Sequence, residues 1–333
     1  MFVLGIETSC DETSASVVSE HFRVQSQVVL SQMEHSDFGG VVPEIASRLH
    51  SRNIHSVVNK AIQDANLSLL DIDGIAVTYG PGLIGSLVVG LMYAKGLAQS
   101  MNIPYIGINH LEGHIFSIFL TYPELKPPIL FLLASGGHTE IILMKDFGEY
   151  EVLGHTVDDA AGECFDKVAK MLGLPYPGGP YIDKLAKHGD ENFVEFPVPQ
   201  HGNFNFSFSG LKTAVLYYLN KHPKGFVEEH KNDIIASFQK ALVEALCDRM
   251  RKAIAYTNVK KVAIVGGVSN NSYLREQCSR TLKQTELYFP ERIYTTDNAA
   301  MIGAAGLLRL KRGERSPLSL AVKPSLYIEE ANK

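Results

Sequence analysis

The apolar positions fall into short runs of strand length, separated by polar turns and by longer stretches of helical period. Residues 2–6 (FVLGI) are a continuous apolar run, ETSCDETS follows, and ASVVS resumes the apolar pattern. That start predicts a hairpin with a polar tip, because strands read as short apolar or alternating runs bounded by turn residues. Another strand-like segment lies near 22–30, and Pro43 opens a helix running to about residue 65. Proline suits a first helical turn, where its missing N–H has no partner to lose. A strand at 74–78 ends in the sharp turn Tyr79-Gly-Pro-Gly, an apolar helix spans 85–99, and a strand at 104–108 closes this half.

Pro127-Pro128 interrupts the chain, and ILFLLASGGHTEIILM then repeats the strand–polar tip–strand pattern. The first tip runs from Ser9 to Thr13 and the second from Ser135 to Thr139, so each places Ser and Thr four apart between apolar strands. This weak internal repeat points to a duplicated domain. The region 155–250 is mostly helical by pattern, with amphipathic stretches at 158–174, 208–219 and 233–254 and a long functional loop at 189–208. Residues 259–278 read as strand, glycine turn and helix; 293–313 read as a strand end, an Asp-Asn cap and a helix of small residues. No low-complexity linker intervenes, so the two domains are expected to meet over a cleft.

At 333 residues the chain suits two domains, and 45% hydrophobic with 20% charged residues is a globular composition. Cys10, Cys164, Cys247 and Cys278 form no CxxC pair, which fits reduced thiols in a cytoplasmic setting. The N-terminus lacks a basic leader, and the apolar run 83–94 stops at Lys95, too short to span a membrane. A net charge of −5 counts against gripping nucleic acid unaided, since phosphate neutralisation needs clustered Lys and Arg; a local basic patch or a partner would have to supply them.

Three segments carry glycine turns after or beside a strand: Ser135-Gly136-Gly137, Gly178-Gly179-Pro180, and Gly266 to Asn271. Glycine lets the main chain approach an anion closely, and a following helix N-terminus favours negative charge. Each is equally readable as an ordinary turn; their order around two paired hairpin tips suggests nucleotide held between related domains. In Asn-His-Leu-Glu-Gly-His, His110 and His114 are four apart and share one face of a helix. Asp297 is the third candidate ligand, with helix N-cap as its plainer role. Two imidazoles and a carboxylate suit iron(II) or zinc. Glu112 is offset from the HExxH position, so a zinc-protease base is not placed.

The motifs GIETSCDETSASVV, GGVVPEIASR, GPGLIGSLVVG, NHLEGH, SGGHT, DDAAGECFDKVAKMLGLPYPGGP, NFSFSGLKTAV, GGVSNN and TDNAAMIG run along nearly the whole chain. Together they resemble the bacterial and organellar tRNA N6-adenosine threonylcarbamoyltransferase family (TsaD). The resemblance implies an α/β, two-domain actin-like/hexokinase-like ATPase (ASKHA) fold with a duplicated RNase H-like core and inserted helices. The expected boundaries are 1–108 plus 298–325 for the N-terminal subdomain and 109–297 for a C-terminal subdomain holding the metal site. The implied reaction transfers threonylcarbamoyl from threonylcarbamoyl-AMP to N6 of adenosine 37 in tRNAs reading codons that begin with adenine, releasing AMP.

By motif, the resemblance makes His110, His114 and Asp297 ligands of one divalent metal, Fe2+ or Zn2+. It lines the adenylate pocket, which also takes ATP or ADP, with Leu133, Ala134, Ser135, Gly136, Gly137, Asp166, Gly179, Asp183 and Asn271. Asp11 becomes the candidate catalytic residue. Ala134 stands where valine is common in relatives, Phe131–Ala134 offers no tyrosine ligand, and His138 fits the bacterial and mitochondrial branch. The implied partners are tRNA, a catalytically inactive paralogue (TsaB-type), a small P-loop ATPase (TsaE-type) and a separate synthase (TsaC-type) that makes the donor, or a second copy of the chain. The helices at 43–65 and 85–99 are the expected docking faces. A kinase of the same fold, a metalloprotease and a non-catalytic nucleotide-binding scaffold are the competing readings.

Overall fold

The computed structural model describes residues 1–38, 40–199 and 202–331. Gly39 of the GGVVPEIASR motif, and Gln200 and His201 of the loop expected at 189–208, lie outside the described residues.

In chain order the elements are β1 (Phe2–Glu7), β2 (Glu12–Ser19), β3 (Arg23–Ser31), α1 (Pro43–Asp64), β4 (Gly74–Gly80), α2 (Ile84–Met101), β5 (Tyr105–Asn109) and α3 (His110–Thr121). There follow β6 (Ile129–Ala134), β7 (Thr139–Asp146), β8 (Glu149–His155), α4 (Ala161–Met171), α5 (Gly179–Ala186), α6 (Ser209–Lys221), α7 (Lys224–Glu229) and α8 (Lys231–Thr257). Last come β9 (Lys261–Val265), α9 (Ser272–Thr281), β10 (Glu286–Tyr288) and α10 (Ala299–Lys311). The strand end expected near 293 is instead a single 3-10 turn at Arg292–Tyr294.

These elements form two compact units, Met1–Leu125 with Pro290–Lys333, and Lys126–Phe289. Both boundaries differ from those expected at 108 and 297. The reason is packing: α3 follows β5 directly and packs on α10, so the helix bearing His110 and His114 belongs to the first unit, as does Asp297.

The first unit holds one sheet in the order β3-β2-β1-β4-β5. The β1–β2 and β2–β3 pairs are antiparallel, whereas β1–β4 and β4–β5 are parallel. The second unit's sheet, β10-β9-β6-β7-β8, has the same plan: an antiparallel meander followed by two parallel strands on the other side of the first. Identical topology turns the Ser–Thr tip similarity into a structural repeat. Each tip joins the first two strands of its sheet.

The central strands carry apolar side chains on both faces because helices cover them. In the first unit, Leu4, Ile6, Val17, Ile75 and Val77 pack against residues of α1 and α2. On the opposite face α10 lies close to the sheet: a Cβ on Gly5 would come 2.8 Å from Gly303 N. Small residues at that crossing let α10 sit directly on β1, which fixes the start of the helix and hence Asp297 just before it. In the second unit, Leu130, Leu132, Val262 and Ile264 pack with α4 and the long α8. Among the described residues no helix is long and apolar enough to cross a membrane. All four cysteines are free; Cys247 and Cys278 approach to 3.5 Å between sulfurs.

Candidate active site

The first unit gathers its polar residues where β1 ends, α3 begins and α10 begins. Asn109 caps α3, its side chain accepting from Leu111 N at 2.8 Å, so His110 opens the helix and His114 lies one turn on. Asn298, not Asp297, caps α10 by accepting from Met301 N at 3.0 Å. The cap role weighed for Asp297 therefore falls to its neighbour, and Asp297 is turned toward the histidines. His110 Nε2 lies 3.6 Å and His114 Nε2 3.1 Å from Asp297 Oδ1, and one ligand atom from each residue lies within 4.8 Å of the others. The two imidazole rings stand edge to face, 4.7 Å apart.

The donor set fits a divalent ion. His114 is wholly buried, yet neither of its ring nitrogens has a hydrogen-bond partner. A buried polar atom left unsatisfied is costly, and a metal ligand is the usual exception. The charges agree. Burial, then the Asp297 and Asp11 carboxylates, push Glu12 well above the usual carboxylate range. Burial disfavours the His110 cation, but Asp297 and Glu7 outweigh it and raise that histidine to about 9. Crowded buried carboxylates are relieved by a bound cation.

Asp11 sits in the β1–β2 tip, its carbonyl accepting from Gln32 N at 3.1 Å. The tip is braced by buried His50, which bridges Thr13 Oγ1 (2.8 Å) and the Cys10 carbonyl (2.9 Å). Burial and the adjacent Asp11 push the Cys10 thiol up, which disfavours its thiolate. Glu112, between the two histidines, is 1% exposed and pairs with Arg309 at 3.2 Å. Sequence reasoning missed Glu7 and Glu12. Glu7 had a readable signal, a charge closing an otherwise apolar strand.

The second unit organises the glycine turns. The 135–138 tip is closed by Ser135 N on the His138 carbonyl (2.8 Å) and by His138 N on Ser135 Oγ (3.1 Å). Its Ser135 carbonyl accepts from Gly162 N at the start of α4, and Thr139 Oγ1 accepts from Ala161 N. Gly266, at φ +88°, turns the chain against the Ala134 carbonyl. Asp166 Oδ1 accepts from Gly178 N (2.7 Å) and Gly179 N (3.3 Å), shaping the start of α5. Asp183 Oδ1 accepts from both N and Oγ of Ser272, while Asn271 caps α9 and donates to Gln239. The expected pocket residues thus lie in one unit, at glycine turns and on the helices α4 and α5 that hydrogen-bond to turns or helix starts. Leu133 and Ala134 are the exception in kind: both residues are wholly buried at the end of β6, where they are paired within the sheet and lie beneath the tip.

A family model described as TsaD, tRNA N6-adenosine threonylcarbamoyltransferase, matches residues 23–304. A curated tRNA N6-adenosine threonylcarbamoyltransferase of Caldicellulosiruptor saccharolyticus is 51% identical, with 100% of this chain and 99% of that protein covered. The protein of the same name from Thermosipho africanus is 53% identical, with 98% and 100% covered. Among solved structures, the activator of 2-hydroxyisocaproyl-CoA dehydratase from Clostridium difficile with bound ADPNP superposes with a TM-score of 0.56 at 14% identity, covering 94% of this chain and 97% of that one. That likeness is one of fold alone. Matched along its whole length by relatives of more than half identity, the chain belongs to the tRNA N6-adenosine threonylcarbamoyltransferase family.

Proposed function

We propose that this chain transfers the threonylcarbamoyl group of threonylcarbamoyl-AMP to N6 of adenosine 37 in tRNAs reading codons that begin with adenine. The observation that carries the reading is identity of 51–53% along the whole chain with proteins named for that transfer. In this reading Ser135, Gly136 and Gly137, with Asp166, Gly179, Asp183 and Asn271, hold the adenylate, and buried Leu133 and Ala134 fix the tip from the end of β6. Three of the glycines support it: a Cβ on Gly136, Gly137 or Gly179 would meet nothing within 4 Å, and none has a positive φ. The protein's own packing does not demand glycine there, whereas close approach of a phosphate does.

The donor is a mixed carbamic–phosphoric anhydride, so positioning and charge stabilisation are the main demands. A divalent ion held by His110, His114 and Asp297, iron(II) or zinc, supplies charge stabilisation at phosphate or carbonyl oxygens when bound. The N6 amine attacks the carbamoyl carbon, the C–O bond to phosphate breaks, and AMP leaves with the electron pair. Asp11 accepts the proton from the nitrogen, late in the step because an aromatic amine is a poor base. Glu112, the carboxylate between the two histidines, is paired with Arg309, which counts against its serving as the base of a protease.

With a net charge of −5 the chain needs help to hold tRNA, which fits an inactive paralogue and a small P-loop ATPase working with it in the cytoplasm. Ile84, Val88 and Met92, four apart and exposed along α2, are the surface we assign to that paralogue or to a second copy. The test is transfer of labelled threonine into unmodified tRNA, with purified protein, synthase, ATP and partners, and His110→Ala as control. Transfer by the wild type alone supports the reading; no transfer with every partner present refutes it.

A further inference from the structure

We propose that Glu7 is the positioning residue of the metal site: its carboxylate orients His110 with Nδ1–H toward Glu7 and Nε2 toward Asp297, and so sets the affinity for the divalent ion. This rests on the metal-site reading above.

Glu7 closes β1 and is wholly buried. A carboxylate in a core persists only where its oxygens are matched by donors. Here Oε1 accepts from Ser9 N at 2.5 Å, and Oε2 accepts from Thr78 Oγ1 of β4 at 2.7 Å. Those two donors pin the carboxylate from the tip and from the neighbouring strand, independently of any histidine. Oε2 then lies 3.0 Å from His110 Nδ1. Ser9 Oγ lies 3.2 Å from the same nitrogen, a neutral and weaker second contact.

A neutral imidazole carries one proton, and which nitrogen holds it follows from the partner of each. In a metal-bound ring, a fixed carboxylate at Nδ1 keeps the one proton there and leaves the Nε2 lone pair for the ion beside Asp297. Metal-bound imidazoles commonly donate their other N–H to a carboxylate, which fixes the ring and raises its basicity. His114 has no such support, since neither of its ring nitrogens is hydrogen-bonded. The two histidines are therefore unequal: His110 is aimed from behind by a carboxylate, whereas His114 meets Asp297 at Nε2 (3.1 Å) and has no hydrogen-bond partner at Nδ1. Glu7 is wholly buried and, of the three candidate ligands, makes its hydrogen bond to His110, so it is a positioning residue that acts through that ring.

The test is a Co2+ titration of metal-stripped, full-length protein, read from the visible ligand-field bands, for wild type, Glu7→Gln and His110→Ala. Wild type should bind one Co2+ and His110→Ala should lose it. Glu7→Gln should bind about 10–100-fold more weakly, with altered bands and an unchanged far-UV spectrum. Co2+ affinity within twofold of wild type and identical bands in Glu7→Gln would overturn the inference while leaving the metal site standing. No Co2+ uptake by wild type, or equal uptake by His110→Ala, would sink the metal-site reading itself. Should Glu7→Gln fail to fold, 15N spectra of histidine-labelled, Zn2+-loaded wild type decide: His110 protonated at Nδ1 and bound through Nε2 upholds the assignment, and binding through Nδ1 overturns it.

Discussion

Gly162 is the residue whose replacement should most directly displace the proposed nucleotide tip. A Cβ built there lies 2.6 Å from the Ser135 carbonyl oxygen, 2.8 Å from its carbon and 2.9 Å from Gly136 Cα. All three neighbours are backbone, so no side chain can swing aside. Restoring ordinary contact, at about 3.4–4 Å, moves the tip away from α4 by about 0.8 Å or more. The same shift stretches the bond from Gly162 N to the Ser135 carbonyl, now 3.1 Å, beyond hydrogen-bonding range.

Overpacking costs about 1–3 kcal/mol and the lost hydrogen bond about 0.5–1.5 kcal/mol, offset by about 0.5–1 kcal/mol from replacing glycine in a helix. Gly162→Ala should therefore be destabilised by about 0.5–4 kcal/mol. A misplacement near 1 Å at positioning groups costs up to about 100-fold in rate, so threonylcarbamoyl transfer should fall by about 10–100-fold. ADP binding by calorimetry, thermal melting and the transfer assay read the three effects. Gly210→Ala, in α6 where a Cβ meets nothing, is the control and should be neutral or slightly stabilising. ADP affinity within twofold of wild type, together with an unchanged melting temperature, would refute the clamp between α4 and the tip.

Three further outcomes are expected. Asp297→Ala should abolish stoichiometric metal binding while α10 stays capped by Asn298, so metal content by mass spectrometry falls with little change in melting of the metal-free protein. Asp11→Ala should keep donor binding and lose transfer, and normal single-turnover transfer by that variant would remove the proton-acceptor role. Asp158 gathers Ser207 Oγ, Ser209 Oγ and the N–H groups of Phe208 and Ser209, the last two where α6 starts without a side-chain cap of its own. Burial opposes its charge, but those hydrogen bonds hold its carboxyl below the usual range. Its contribution is therefore complete above the unfolded value of about 3.9 and lost as pH falls through the folded value. Asp158→Ala should cost about 1–3 kcal/mol at pH 7 and flatten the acid limb of a urea-stability profile.

Long periodic or uniformly apolar segments were legible in the sequence. The runs at 2–6, 74–78 and 129–134, the helix opened by Pro43, and the small-residue helix after Asp297 all stand where their pattern placed them. β8 and β10 were not foreseen, because they are outer strands whose residues (Glu149, Glu151 and His155 in β8, Glu286 in β10) face water and lack an apolar run. Chain continuity misled the domain boundaries: β5 and α3 follow each other without a break, and only packing against α10 shows which unit owns the histidines. The i,i+4 histidines were readable from spacing alone. The choice between Asp297 and Asn298 as cap was not, since both residue types cap well and only geometry separates them.

Two of the three candidate metal ligands stand at helix starts, where the backbone field opposes a cation. His110 is the first residue of α3, and Asp297 stands one residue before the Asn298 cap of α10. A helix N-terminus carries partial positive charge and favours anions, so a cation placed beside two of them meets an unfavourable field. The structure answers with acid groups from elsewhere: Glu7 at the end of β1, Glu12 at the start of β2, and Asp297 itself. Both caps are asparagines, which satisfy the first free N–H groups without adding charge to the ligand set. A site that combines helix starts with crowded carboxylates can hold a divalent ion and still present positive dipoles to an anionic group on its open side. A carbamoyl phosphate anhydride demands that pairing, because it brings a phosphate to a carbonyl that must be polarised. A peptide bond carries no such anion, which weighs against protease chemistry independently of the Glu112–Arg309 pair.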